Sequence, residues 1–101
     1  MTYSFHPEAE EEFNKAIDYY EEQQAELGLD FSVEVYKTIQ RIAANPKSWT
    51  SLSKSVRRAL VYRLPFGLLY SHDADSEHIY IIAVMHLRRE PDYWRERVNN
   101  D

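Results

Sequence analysis

A chain of 101 residues with 44% hydrophobic and 29% charged side chains is sized for one domain over residues 1–101 around one core, and is too apolar to stay disordered. It has no cysteine, which excludes disulfides and thiolate metal sites and is compatible with a reducing cytoplasm. Its net charge of −5 argues against tight non-specific binding of nucleic acid, because phosphate contacts need a positive surface.

In chain order, Thr2 to Phe5 reads as a short strand with Tyr3 and Phe5 on one side. No basic segment followed by an apolar run precedes it, so no signal peptide is expected. His6-Pro7 signals a helix start, since proline at the first helical position loses no needed hydrogen bond. Glu8, Glu10, Glu11 and Glu12 crowd the first turns, where the helix dipole favours negative charge; the simplest expectation is a solvated acidic face. Ala9, Phe13, Ala16, Ile17, Tyr20 and Leu27 form one apolar stripe. Gly28 is expected to end this helix and Asp30 to cap a second one. The second helix buries Phe31, Val35, Ile39 and Ile42 and stops at Asn45-Pro46. Two helices joined by about three residues fold back as a hairpin.

A polar stretch, Lys47 to Ser55, follows, with Trp49 and Leu52 expected to tuck inward. Three strands come next: Arg58 to Leu64, a turn at Pro65-Phe66-Gly67, Leu68 to His72, a polar loop, and His78 to His86. The last is apolar on both faces, as a strand inside a sheet should be. Its run Ile79–Met85 is the longest apolar one and far short of a membrane span. Arg89 to Arg97 reads as a short amphipathic helix or turn carrying Tyr93 and Trp94. The expected class is α+β, ordered β-α-α-β-β-β-(α), with the helical hairpin packed on one side of a mainly antiparallel sheet and the other side only partly covered.

Charge is segregated. Residues 1–50 carry four lysines and arginines against ten acids, a net −6, and residues 51–101 carry eight against seven, a net +1. Any anion site is therefore expected in the second half. His86, at the end of the last strand, is the candidate for proton transfer, with Arg63 and Arg88 as charge-stabilising partners if the chain cleaves RNA. The bland reading, that His86 hydrogen-bonds a neighbouring strand end, is favoured. Tyr62, Tyr70 and Tyr93 assist only if the fold brings them near. His72 and His78 flank a loop and, with Asp73, imitate a metal site, but no ligand spacing backs this, and no metal or other cofactor is expected. Arg95 and Arg97 are expected to pair with Glu96 and Asp101.

Four stretches together resemble the RelE/ParE family of bacterial toxins, and more closely its ParE-type branch. They are Phe5-His6-Pro7-Glu8-Ala9-Glu10, Arg41-Ile42-Ala43-Ala44-Asn45-Pro46, Val56 through Gly67 with Arg57-Arg58 and Arg63, and Ala83 through Trp94 with His86-Leu87-Arg88-Arg89. The resemblance spans residues 5 to about 97. It implies a toxin silenced by a cognate antitoxin that lays an extended or helical C-terminal segment over it. ParE-type members poison DNA gyrase, whereas RelE-type members cleave messenger RNA on the ribosome. Leu87 stands where some RelE-like nucleases carry a second acid–base residue, and the acidic balance also disfavours ribosomal RNA. The expected mechanism is therefore ParE-like. Arg57, Arg58, Arg63, Tyr70, Arg88, Arg89 and Trp94 are the expected partner- or target-binding residues, because arginine grips carboxylates in a bidentate fork. A homodimer, or a hetero-oligomer with the antitoxin, is compatible with this reading; a membrane partner is not expected.

Overall fold

The computed structural model describes residues 1–98. The elements run β1 (Thr2–Phe5), α1 (Pro7–Gln23), α2 (Leu27–Ala44), β2 (Thr50–Ser51), β3 (Arg57–Leu60), β4 (Phe66–Asp73), β5 (His78–His86) and a single 3₁₀ turn at Arg95–Arg97. The strands form one sheet in the order β1-β5-β4-β3-β2, antiparallel except for the parallel pair β1–β5. This is the α+β arrangement the sequence implied. Among the described residues, no helix is long and apolar enough to cross a membrane.

The helical hairpin buries its stripe on one face of the sheet. Ala9, Phe13, Phe31, Val35, Ile39 and Ile42 meet Leu68, Tyr70, Ile79, Ile81 and Val84 in the main core. The junction between helices differs from expectation. α1 ends at Gln23, and Leu27 opens α2. Glu26 takes the left-handed turn position at φ 72°. Gly28 lies inside α2, because a β-carbon there would stand 2.6 Å from the Ile17 carbonyl oxygen of α1. Asp30 sits in the first turn rather than at the cap. The capping group comes from α1 instead: the N–H groups of Glu26 and Gly28 donate to the Glu21 carboxylate at 2.9 and 3.0 Å.

The β3–β4 turn is also shifted. β3 stops at Leu60, Arg63 holds a left-handed φ of 66°, and the Val61 N–H donates to the Phe66 carbonyl at 2.9 Å. The turn therefore precedes Phe66 and closes around Pro65, whose missing N–H would interrupt a ladder. The two-residue strand Thr50–Ser51, paired with Arg57 and Arg58, carries too little pattern to be read from sequence.

The second face of the sheet is better covered than expected. Val56, Leu69, Ile82, Met85 and Trp94 make a smaller core there, with Leu52, Tyr80, Tyr93 and Val98 at its margin. The covering segment is a run of turns rather than an amphipathic helix. The Trp94 indole N–H donates to the Pro91 carbonyl at 2.7 Å, and Pro91 itself supplies no N–H to a helix.

Candidate functional site

His86 closes β5 opposite Phe66 of β4. Its ring meets the Phe66 ring edge-on at 5.2 Å between centroids. Its Nδ1 accepts from the Arg88 N–H at 3.1 Å, so the imidazole is tied to its own strand end. A cleft of about 510 Å³ opens beside it, lined by Glu12, Lys15, Tyr19, Phe66, His86 and Arg89 among others. Tyr62, Tyr70 and Tyr93 do not line it; Tyr19 and Tyr20 of α1 do.

The charges around this cleft are largely committed to the fold. The Glu12 side chain is 13% exposed and Arg97 8%. Arg97 donates to both Glu12 carboxylate oxygens at 2.9 Å and to the Ile82 carbonyl at 3.0 Å, and contacts the Glu8 carboxylate at 2.9 Å. Glu12 also accepts from the Val84 N–H at 3.0 Å and from Arg89 at 3.2 Å. Burial works to lower the Arg97 pKa, but the hydrogen bonds and charge of Glu12 outweigh it and hold the guanidinium above its usual range. Arg89 also stacks over Tyr93 at 3.8 Å. Burial, with the Glu12 carboxylate beside it, pushes the Tyr93 phenol up.

This network replaces the expected solvated acidic face. Glu8 and Glu12 are structural partners of Arg97, and Arg95 pairs with Asp92 at 2.9 Å; Asp101 lies outside the described residues. Sequence did hold a signal for Glu12. It stands three residues after Ala9 and four before Ala16, inside the core stripe, where a charge needs a partner.

The other candidates are dispersed. Arg63 lines a different cleft from His86. Arg57 donates to the Trp49 carbonyl at 2.8 Å. The Arg58 stem lies against Gly67. Tyr70 and Trp94 are fully buried, so neither offers contact surface to a partner, which corrects that expectation. Tyr70 instead donates its hydroxyl to the Pro46 carbonyl at 2.6 Å, and burial pushes its pKa up to about 12 against the lowering charge of Arg57. His72 faces Ile79 rather than His78 across the strands. The ring nitrogens of His78 hydrogen-bond the Thr2 and Ser4 hydroxyls at 2.6 and 2.8 Å.

The exposed apolar side chains cluster elsewhere. A groove of about 520 Å³ runs between α2 and the β3–β4 turn, lined by Leu29, Val33, Lys37, Tyr62, Arg63 and Leu64 among others. Leu29, Val33 and Tyr62 are exposed, as is neighbouring Leu60. Arg63 lies 5.2 Å from the centre of the Tyr62 ring. Arg63 was named from sequence as a candidate binding residue but on a strand rather than in this groove; Leu29 and Val33 were not named, because on a helix wheel they read as ordinary surface residues.

Comparison with known proteins agrees with this geometry. The family model described as the ParE toxin of type II toxin–antitoxin system, parDE, matches residues 3–91. A search of curated proteins gives no match. A solved structure described as the chromosomal ParDE TA system from P. aeruginosa superposes with a TM-score of 0.72 at 17% identity, covering 87% of this chain and 97% of that one. At that identity the likeness speaks for the fold.

Proposed function

Since this chain belongs to the ParE toxin family of type II toxin–antitoxin systems, we propose that it acts by binding and inhibiting a protein target, DNA gyrase, and that a ParD-type antitoxin silences it. The observation that carries a binding rather than a catalytic reading is the commitment of Glu12, Arg89 and Arg97 to one another. RNA cleavage by a metal-free enzyme needs a base, an acid and uncommitted cations around one phosphate. Here His86 has its Nδ1 bonded to its own strand end, and Arg89 and Arg97 are paired with Glu12, which leaves Arg88 as the one unpaired arginine beside it among the described residues.

The groove between α2 and the β3–β4 turn is the antitoxin site in this reading. Its exposed Leu29, Val33 and Tyr62 suit the apolar side of an amphipathic segment, and Arg63 suits a carboxylate on that segment's flank. Exposed Arg88, with Arg57 and Arg58, remains available for contact with the target.

The test pairs two assays on the purified chain: supercoiling by gyrase, and transcript cleavage during translation. Loss of supercoiling, relieved by adding the antitoxin, is expected. Codon-specific transcript cleavage with supercoiling untouched would overturn the reading in favour of a ribosome-dependent nuclease.

A further inference from the structure

On the far side of the molecule from His86, the loop before β3 and the outer end of β4 enclose a pocket of about 300 Å³. Lys47, Lys54, Arg57, Ser51, Ser71 and His72 are among its lining residues, and no carboxylate is among the described ones. In a chain of net charge −5, three cations with no acid beside them among the described lining residues is a local inversion of the molecule's sign. None of the three forms an ion pair among the described residues. Arg57 is held in place by its hydrogen bond to the Trp49 carbonyl at 2.8 Å, which fixes its guanidinium without neutralising it. Asp73, next to His72, is not among the lining residues and accepts from the N–H groups of Asp75 and Ser76 at 3.0 and 3.4 Å. The His72 Nε2 is buried with no hydrogen-bond partner among the described residues.

We propose that this pocket binds a phosphate-class oxyanion, either inorganic phosphate or the phosphate of a small nucleotide. Three positive groups in so small a cavity repel one another when it is empty, and a dianion relieves that repulsion. A tetrahedral oxyanion also presents enough acceptor oxygens for two ammonium groups, a guanidinium and an imidazole N–H. A single carboxylate carries one charge and two oxygens, and leaves part of the set unmet. The cavity is at the small end of ligand sites, which suits a compact anion.

The test is titration of the full chain with inorganic phosphate, a nucleoside monophosphate and, as control, acetate, followed by the His72 ring signals in NMR and by calorimetry. Saturable binding of phosphate or of the monophosphate, with acetate at least about tenfold weaker, is expected; which of the two binds more tightly identifies the source. The double substitution Lys47→Ala and Lys54→Ala, both at exposed positions, weakens binding by at least about tenfold and leaves thermal unfolding and antitoxin binding unchanged. No saturable shift at His72, equal binding of acetate, competition by a carboxylate-rich peptide as strong as by phosphate, or undiminished binding in the double variant would each overturn the proposal. The pocket does not overlap the antitoxin groove, so this outcome is separable from that of the supercoiling assay.

Discussion

At the scale of single residues, the side chain that most changes the picture is Glu12. β1 is four residues long and β5 nine, so past Ile81 the edge of β5 has no strand beside it. Glu12 and Arg97 take over there, one accepting from the Val84 N–H and the other donating to the Ile82 carbonyl. Ile82 itself is the extra residue of a bulge, where the register passes from Leu69↔Ala83 to Tyr70↔Ile81. Removing one partner of such a pair leaves the other charge buried and unmatched. Glu12→Gln therefore destabilises the fold by about 2–4 kcal/mol in urea unfolding, whereas Glu11→Gln, on the exposed side of α1, changes stability by less than about 0.5 kcal/mol. Equal effects of the two would contradict the network. Tyr70 supplies a second check. Its folded pKa of about 12 lies above the ordinary phenol value near 10, so the folded state holds its proton where the unfolded state has lost it. Stability is unaffected by this group below about pH 10 and falls between about pH 10 and 12; in Tyr70→Phe that part of the alkaline loss disappears. Strand alternation placed His86 correctly at the end of β5, whereas Arg63, expected inside a strand, lies in the β3–β4 turn; neither pattern says which charges pair. Arg97 and Glu12 are 85 positions apart in sequence, and no local pattern connects them.

At the scale of elements, the strongly periodic segments were legible and their junctions were not. The stripe in α2 and the two-sided apolar run of β5 each require one kind of structure; the bounds of β5 and the end of α2 hold, while α2 starts earlier than its expected Asp30 cap, at Leu27. The α1–α2 turn misled because glycine usually marks a helix end, whereas Gly28 serves close approach of the two helices. Gly28→Ala forces the Ile17 carbonyl and the new methyl apart and is expected to cost about 1–3 kcal/mol as overpacking, read as a lower melting temperature. A neutral or stabilising effect, as for an ordinary solvent-facing helical glycine, would mean that the hairpin opens at no cost. The β3–β4 turn misled in the same way: proline and glycine flanked the true turn without forming its centre, and a left-handed arginine is not a feature that sequence advertises.

At the scale of the whole molecule, two surfaces of different chemistry are set apart. The groove proposed for the antitoxin is apolar with charges of both signs at its border, Asp30 and Glu34 as well as Lys37 and Arg63, and the His86 end is a strand terminus whose charges are mostly paired. Tyr62→Ala is expected to weaken antitoxin binding by roughly 2 kcal/mol, about thirtyfold, if that ring is a central anchor; an unchanged affinity would move the site elsewhere. His86→Gln is expected to leave gyrase inhibition within a few-fold of the parent, since binding surfaces divide their energy over several anchors, whereas loss of a proton-transfer group costs a nuclease about 10²–10⁴-fold. The pairing of β1 with β5 adds a constraint in time. Thr2 aligns with His78 and Phe5 with Ile81, so the first strand made waits for the last. At about 5–20 residues per second, roughly 4–15 s separate them during synthesis, and Arg97 arrives later still. A toxin built this way is assembled only when nearly all of its chain has been translated, which gives an antitoxin already present a finished groove to meet rather than a growing chain to guard.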